Sequence, residues 1–432
     1  MSVVDTSATP VSAAGTAQPV QATRYALALL TIIYTLNFVD RQIINILAES
    51  IKLELSLSDA QLGLLTGVSF ALFYTVLGLP IARLADRASR TGIISIAVFT
   101  WSFMTCLCGM TQSFVQLLLA RTGVAAGESG CTPPAHSLIS DWFPPERRAS
   151  ALATYSLGIP LGTLCGMALG GWIGHSLGWR AAFFVAGLPG ILIAAIAWFV
   201  LKEPPRRVAP VAAAERPSMA AVLAELSRSK ALWCIAIGMA LLSLLGYGQA
   251  AFLGSFYLRV HEISLDRLGL ALGLVLGLGG IVGVWAGGLI ADRHGRSDPA
   301  SFVTLPAIGS LVAWPFAVGA FLCEPIWLSF AFLAIATALN SLWLGPAFAA
   351  VQMLVRPDTR AVAVAAVTLV LTLIGLGAGP VLVGLLSDAM AAQLSPGEAL
   401  RFSLLSTTPL GAVAAVILLY ARKAIRRELV YA

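Results

Sequence analysis

Four charged residues stand where charge is costly. Asp40 and Arg41 close the apolar run Leu36-Asn37-Phe38-Val39-Asp40-Arg41, and Arg121 and Glu128 frame a second, Arg121-Thr-Gly-Val-Ala-Ala-Gly127-Glu128-Ser129. Ionisable side chains in such segments face a cavity or a partner. A guanidinium stays charged and binds carboxylate or phosphate through paired hydrogen bonds. Arg121 therefore reads as a fixed positive site for an anionic substrate group or for Asp40, with Asn37 and Arg41 beside it. Burial and a neighbouring cation push a carboxyl group in opposite directions, and Glu128, assisted by Asp40, reads as the proton-binding member. The alternative is that all four form a permanent structural ion-pair cluster.

The elements that must hold these residues are membrane-spanning helices. Hydrophobic residues make up 58% of 432 positions and charged residues 11%, unlike any soluble domain. About 20 apolar residues cross a bilayer, and twelve stretches qualify: 25–47, 60–82, 91–111, 114–136, 149–172, 180–201, 231–257, 267–291, 301–322, 326–352, 361–388 and 400–421. The net charge of +6 does not mark a nucleic-acid binder, because the basic residues lie between apolar runs and form no stripe. They act as topology signals. With both termini cytoplasmic, 20 of the 27 Lys and Arg residues fall inside, as the positive-inside rule requires. The reading is a multi-pass protein of the cell membrane, the inner membrane in a Gram-negative bacterium. In that orientation Asp40 lies roughly 7 Å beyond the midpoint of the first helix, with Arg121 on the same outer side of the fourth; Glu128 is roughly 10 Å further in on nearly the same face.

The chain divides in two. Residues 1–23 read as a disordered tail, 24–201 as a six-helix bundle and 202–230 as a polar linker, followed by a second bundle at 231–421 and a tail at 422–432. Within the linker, Met219, Val222, Leu223 and Leu226 have the spacing of a short amphipathic helix. An internal repeat links the bundles: Pro134-Ala135 recurs as Pro346-Ala347 and Arg148-Ala149 as Arg360-Ala361, at an offset of 212. The same offset sets Asn340 against Glu128 and Leu333 against Arg121, so the second half has lost the charges. Its central helices offer Tyr247, Asn340 and Trp343, with Ser243 and Gln249, to orient a substrate or cover an alkyl portion.

After the second span stands Gly78-Leu-Pro-Ile-Ala-Arg-Leu-Ala-Asp86-Arg87-Ala-Ser-Arg90, and after the eighth Gly287-Gly288-Leu-Ile-Ala-Asp292-Arg293-His-Gly-Arg296. This duplicated loop resembles the signature of the major facilitator superfamily. The resemblance implies an all-α membrane protein of twelve transmembrane helices in two six-helix bundles related by pseudo-two-fold symmetry. In such a frame Gly78 permits close helix approach, while Asp86, Arg87, Arg90, Asp292, Arg293 and Arg296 make switchable contacts that gate the cytoplasmic seam. Asn37-x-x-Asp40-Arg41, the Arg121 to Ser129 run and Pro133 through Ser140-Asp141 are similar to the Spinster group. That likeness implies proton-coupled transport of lysophospholipids or sphingosine-1-phosphate. The first-helix motif is also similar to organic-anion symporters.

The expectation is a monomeric secondary transporter of an anionic, amphipathic molecule that works by alternating access, with membrane lipids as its other partners and no nucleic acid. A small-organic-anion symporter is the alternative. Multidrug efflux is less expected, because Gly158-Ile-Pro160-Leu-Gly162 departs from the Gly-x-x-x-Gly-Pro pattern of drug antiporters. No catalytic set, metal site or cofactor is expected beyond a coupling proton. Cys106, Cys108, Cys131, Cys165, Cys234 and Cys323, and His136, His175, His261 and His294, lack ligand spacing and read as packing residues.

Overall fold

The computed structural model describes residues 20–85, 87–204, 226–295, 297–356 and 359–428. All regular structure among them is helical. The first half comprises α1 (Val20–Leu55), α2 (Asp59–Ala85), α3 (Arg90–Cys108), α4a (Phe114–Glu128) with α4b (Thr132–Trp142), α5 (Pro145–Ser156, then Gly158–Leu177) and α6 (Trp179–Val200). The second comprises α7 (Lys230–His261), α8 (Leu265–Gly295), α9 (Ser301–Leu322), α10a (Ile326–Asn340) with α10b (Leu344–Met353), α11 (Arg360–Val370, Leu371–Ala378, then Gly379–Met390) and α12 (Pro396–Thr407, then Pro409–Glu428). Side-chain caps start several of them. Ser58 with Gln61 and Ser395 with Glu398 form capping boxes, and Ser89, Ser113 and Ser229 each accept from a backbone N–H of the first turn.

Eleven helical stretches are each long and apolar enough to cross a bilayer. The twelfth span is α4, interrupted just after Glu128. Pro133 and Pro134 open α4b and have no N–H to give to the carbonyls four residues back, so the helix cannot run through. In α10 the break follows Asn340, and Pro346 stands in the first turn beyond it. The repeat read from the sequence is therefore a repeat of backbone. Glu128 and Asn340 each end a half-helix at the same place in their bundle.

Two boundaries shift from the sequence reading. The first helix begins at Val20, inside the segment assigned to the tail, and α12 continues through Glu428, past the expected end at 421. The amphipathic linker helix lies outside the described residues apart from Leu226.

Within the halves, α1 packs on α5 and α3 on α6, and correspondingly α7 packs on α11 and α9 on α12; α7 also packs on α12 and α9 on α10a. Between the halves the main contacts are α5 with α8, α2 with α11, and α1 with α7. Exchanging the halves turns the first pair into the second, which is the symmetry of a two-fold. These contacts lie away from the chain ends: Gly254 approaches the Asn45 carbonyl, Gly269 approaches Gly171, and Gly63 and Gly67 approach the α11 backbone at 376–381. One apolar core there joins both halves, from Leu47, Ile51 and Leu65 to Phe256, Leu268 and Leu404. On the side where α1 begins and α12 ends, the second half keeps a separate core around Ile235, Met239, Val351 and Val367. The bundle is thus sealed on the far side and parted on the terminus side. Large side chains such as Phe199 and Trp327, 80% and 70% exposed, cover the outer faces with the apolar surface a bilayer requires.

Candidate functional site

The four charges converge between α1 and α4a, near the middle of the first half. Gly127 makes the approach possible: a Cβ there would lie 2.6 Å from the backbone nitrogen of Trp101 on α3, so only glycine lets α4a settle against α3 with Glu128 turned inward. The Arg41 Nε donates to Glu128 Oε2 at 2.7 Å, and the Glu128 side chain is fully buried. Arg121 lies 3.6 Å from the Asp40 carboxylate, with side chains 2% and 4% exposed. Two cations and two anions are present, so the cluster is balanced. Its hydrogen bonding is not: Asn37 Oδ1, both Asp40 oxygens, Arg121 Nε and Nη1 and Glu128 Oε1 are buried without a hydrogen-bond partner. Such atoms are costly to leave unmatched and mark groups kept for another partner.

The expected depths of Asp40 and Arg121 fit their pairing. What the arrangement changes is the cation open to a ligand. Arg121 is buried beside Asp40, whereas the Arg41 side chain is 20% exposed and points among aromatic rings. Its guanidinium carbon lies 4.7 Å from the Phe70 ring centre, 5.0 Å from Tyr74 and 5.2 Å from Phe38. Tyr247 of α7 is 45% exposed. Arg41 thus has a carboxylate on one side, aromatic faces around it and an accessible edge.

The other second-half residues are more dispersed. Asn340 is half-buried at the end of α10a. Trp343 packs against two apolar clusters of its own half. Ser243 donates to the Leu371 carbonyl, where α11 widens into a π-helical stretch at Leu371–Ala378. Beyond the cluster, Tyr34 stacks on buried Tyr155 with ring centres 4.4 Å apart, and His136 meets Tyr155 edge-on.

Among the described gate residues, none forms an ion pair across the seam. Asp86 and Arg296 lie outside the described residues. Asp292 and Arg293 are exposed and form no ion pair with a described residue, and Arg87 is exposed. A Cβ on Gly78 would meet nothing within 4 Å, so the close packing expected of this glycine is absent with the terminus side parted. Arg90 serves a different purpose. Buried at the start of α3, it donates to Asp141 at 2.5 Å and Ser137 at 2.8 Å on α4b and to Glu203 at 2.6 Å after α6. It clamps one half and does not bridge two, because its neighbours at that helix end are α4b and the chain leaving α6.

On the far side the halves are tied by charges near the ends of the helices. Arg259 of α7 makes paired bonds of 2.7 and 2.8 Å to Asp59 of α2 and also binds Glu49 of α1. Asp59 further accepts from Lys52 at 2.5 Å and Ser387 at 2.6 Å. Asp388 of α11 accepts from the N–H groups of Asp59 and Ala60, both at 2.9 Å, capping α2 from the other half. A Cβ on Gly384 would come within 2.6 Å of the Asp59 carbonyl carbon, so the two backbones touch. The only sequence signal was a cluster of opposite charges at span ends; the pairing joins residues some 200 and 328 positions apart.

A family model described as Major Facilitator Superfamily matches residues 30–380. The chain is 35% identical over 405 residues, 94% of each chain, to the "MFS-type efflux pump" of Mycolicibacterium smegmatis (strain ATCC 700084 / mc(2)155). It is 25% identical over 279 residues, 62% of this chain and 61% of the other, to the "Probable L-galactonate transporter" of Escherichia coli (strain K12). Among solved structures, a bacterial homolog of the human lysosomal transporter Spinster, in an inward-facing and unoccupied conformation, superposes with TM-score 0.87 at 33% identity, covering 95% of this chain and 99% of that one. The chain accordingly belongs to the major facilitator superfamily, as a multi-span membrane transporter and not an enzyme, and it resembles the Spinster transporters.

Proposed function

We propose that the protein is a proton-coupled secondary transporter of an anionic amphipathic molecule, a lysophospholipid or a sphingosine-1-phosphate-like lipid. The Arg41–Glu128 contact carries the reading. An incoming phosphate or carboxylate competes with Glu128 for the accessible edge of Arg41. Once displaced, Glu128 is an unpaired charge at a depth where that is costly, and a proton removes the cost. Anion and proton then travel as a unit, while Asp40 holds Arg121 as a fixed counter-charge. Phe38, Phe70 and Tyr74 cover the first carbons of the cargo, and Tyr247, Asn340 and Trp343 complete the cavity from the second half.

The likeness to the inward-facing Spinster homolog supports placing the parted side toward the cytoplasm, and the arginine-rich loops on that side support cytoplasmic termini. The same bias supports the cell membrane, inner in a Gram-negative bacterium, and the seam buried within one chain supports a monomer. The duplicated Asp-Arg loops would close that side in the other half-cycle.

Proteoliposome flux of a lysophospholipid under an imposed pH gradient tests the proposal. Wild type should respond to the gradient and Glu128→Gln should not; an unaltered pH response in that variant overturns the coupling role. If Arg121→Ala binds and transports normally, Arg121 is structural. The similarity to a galactonate transporter favours a second reading, a symporter of small organic anions. Competition of flux by short-chain against long-chain anions separates the two. The relative named as an efflux pump favours export, which inside-out and right-side-out vesicles distinguish.

A further inference from the structure

A basic cleft lies away from the transport cluster, at the terminus-side ends of α1 and α5. A cleft of about 400 Å³ opens there between the first turns of α1, the end of α4b and the start of α5, within the size of a small-ligand site. Arg24 and Arg147 stand at its mouth; both are exposed and neither forms an ion pair with a described residue. The adjacent Arg148 is already engaged with the Phe143 carbonyl at 3.1 Å, which leaves Arg147 as the cation available at the start of α5. Leu27, Ala28, Phe143 and Ala151 form a mainly apolar floor, with Ser150 and Thr154 beside it. The cleft sits where two spans, Thr23–Leu55 and Glu146–Leu177, reach the membrane boundary, and exposed Tyr25 marks the same level.

Two free guanidinium groups over an apolar floor at the headgroup level match an anionic phospholipid: the phosphodiester on the arginines, the glycerol and first acyl carbons along the floor. We propose that this cleft holds one resident anionic phospholipid that ties the start of α1 to the start of α5. A free phosphate would satisfy the arginines and leave the floor bare.

Native mass spectrometry of the full chain, titrated with phosphatidylglycerol, phosphatidylcholine or inorganic phosphate, tests the site. Wild type should retain one phosphatidylglycerol in preference to phosphatidylcholine. Arg24→Gln/Arg147→Gln should weaken that binding roughly 30-fold, about 1 kcal/mol for each arginine, whereas Arg24→Lys/Arg147→Lys should keep most of it. Lys423→Gln/Arg427→Gln removes the same charge from the end of α12 and should leave it intact. Equal weakening in that control means diffuse attraction to a basic surface and overturns the site. Inorganic phosphate that displaces phosphatidylglycerol at equal concentration overturns the lipid assignment. Each variant is compared at matched monodispersity and helix content, so misfolding cannot pass for lost binding.

Discussion

Replacing Asp59 by Asn should open the far side. Asp59 and Arg259 are 4% and 8% exposed, and the carboxylate takes both arms of the guanidinium together with Lys52 and Ser387. Removing one member of such a buried pair costs about 3–5 kcal/mol. Glu49 stays on Arg259 and offsets part of the loss, which sets the expectation near the lower end, about 3 kcal/mol. The cost falls only on the conformation with the far side shut, since water solvates both partners once the halves separate there. The ratio of shut to open should then fall roughly 100-fold. Double electron–electron resonance between spin labels at Leu53 and Gln393, on a background without the native cysteines, reads the two populations directly. Wild type should give one short distance and the variant an added longer one. An unchanged distribution would refute the view that this ion-pair network holds the far side closed.

Three further changes follow from the same geometry. Gly384→Leu forces a side chain into the Asp59 backbone and should lower stability by about 1–3 kcal/mol, an overpacking cost, read as a lower Tm in detergent; an unchanged Tm would show that the α2–α11 contact is loose. Arg41→Lys keeps the charge but loses the planar fork and much of the ring stacking, so KM for the anion should rise about tenfold, some 1.4 kcal/mol, with the pH response of flux retained. Glu203, outside the spans, is partly desolvated, which raises its pKa, but the hydrogen bonds from the Arg90 side chain and the Thr91 N–H together with the Arg90 charge outweigh this, and the net shift is downward. Its contribution is therefore complete above the ordinary glutamate range and fades as pH falls through the lowered native value. Tm of wild type minus Tm of Glu203→Gln should be positive at pH 7 and shrink toward zero on acidification, and a gap that is constant with pH would contradict the pairing.

The spans were legible because hydropathy and the positive-inside bias depend on composition alone. The repeat register was legible too, and it carried more than expected: an offset of 212 that aligns Pro134 with Pro346 also aligns the two helix breaks. The meeting of Asp40 with Arg121 could be anticipated from rise per residue, because it depends on depth. The contact of Arg41 with Glu128 depends on how α1 is rotated against α4a, and a single sequence holds no record of that rotation. For the same reason the greater exposure of Arg41 than of Arg121 could not be read from the sequence. The Asp59–Arg259 tie was invisible because each residue looks like an ordinary loop charge until the halves are docked. The surroundings of Gly78 were not legible for another reason. Its neighbours depend on which side of the molecule is parted, and sequence describes no single conformation.

The balance within the Asp40, Arg41, Arg121 and Glu128 cluster has an electrical consequence. With all four ionised, the two positive and two negative groups carry no net charge through the membrane field when the halves rock. Any voltage dependence of the cycle must then arise from cargo and proton, at about 2.3 kcal/mol per elementary charge per 100 mV. A monoanion that moves with one proton is invisible to the membrane potential, whereas a phosphate dianion with one proton is not. Reversal potentials measured with cargos of different valence would thus count the protons that accompany each one.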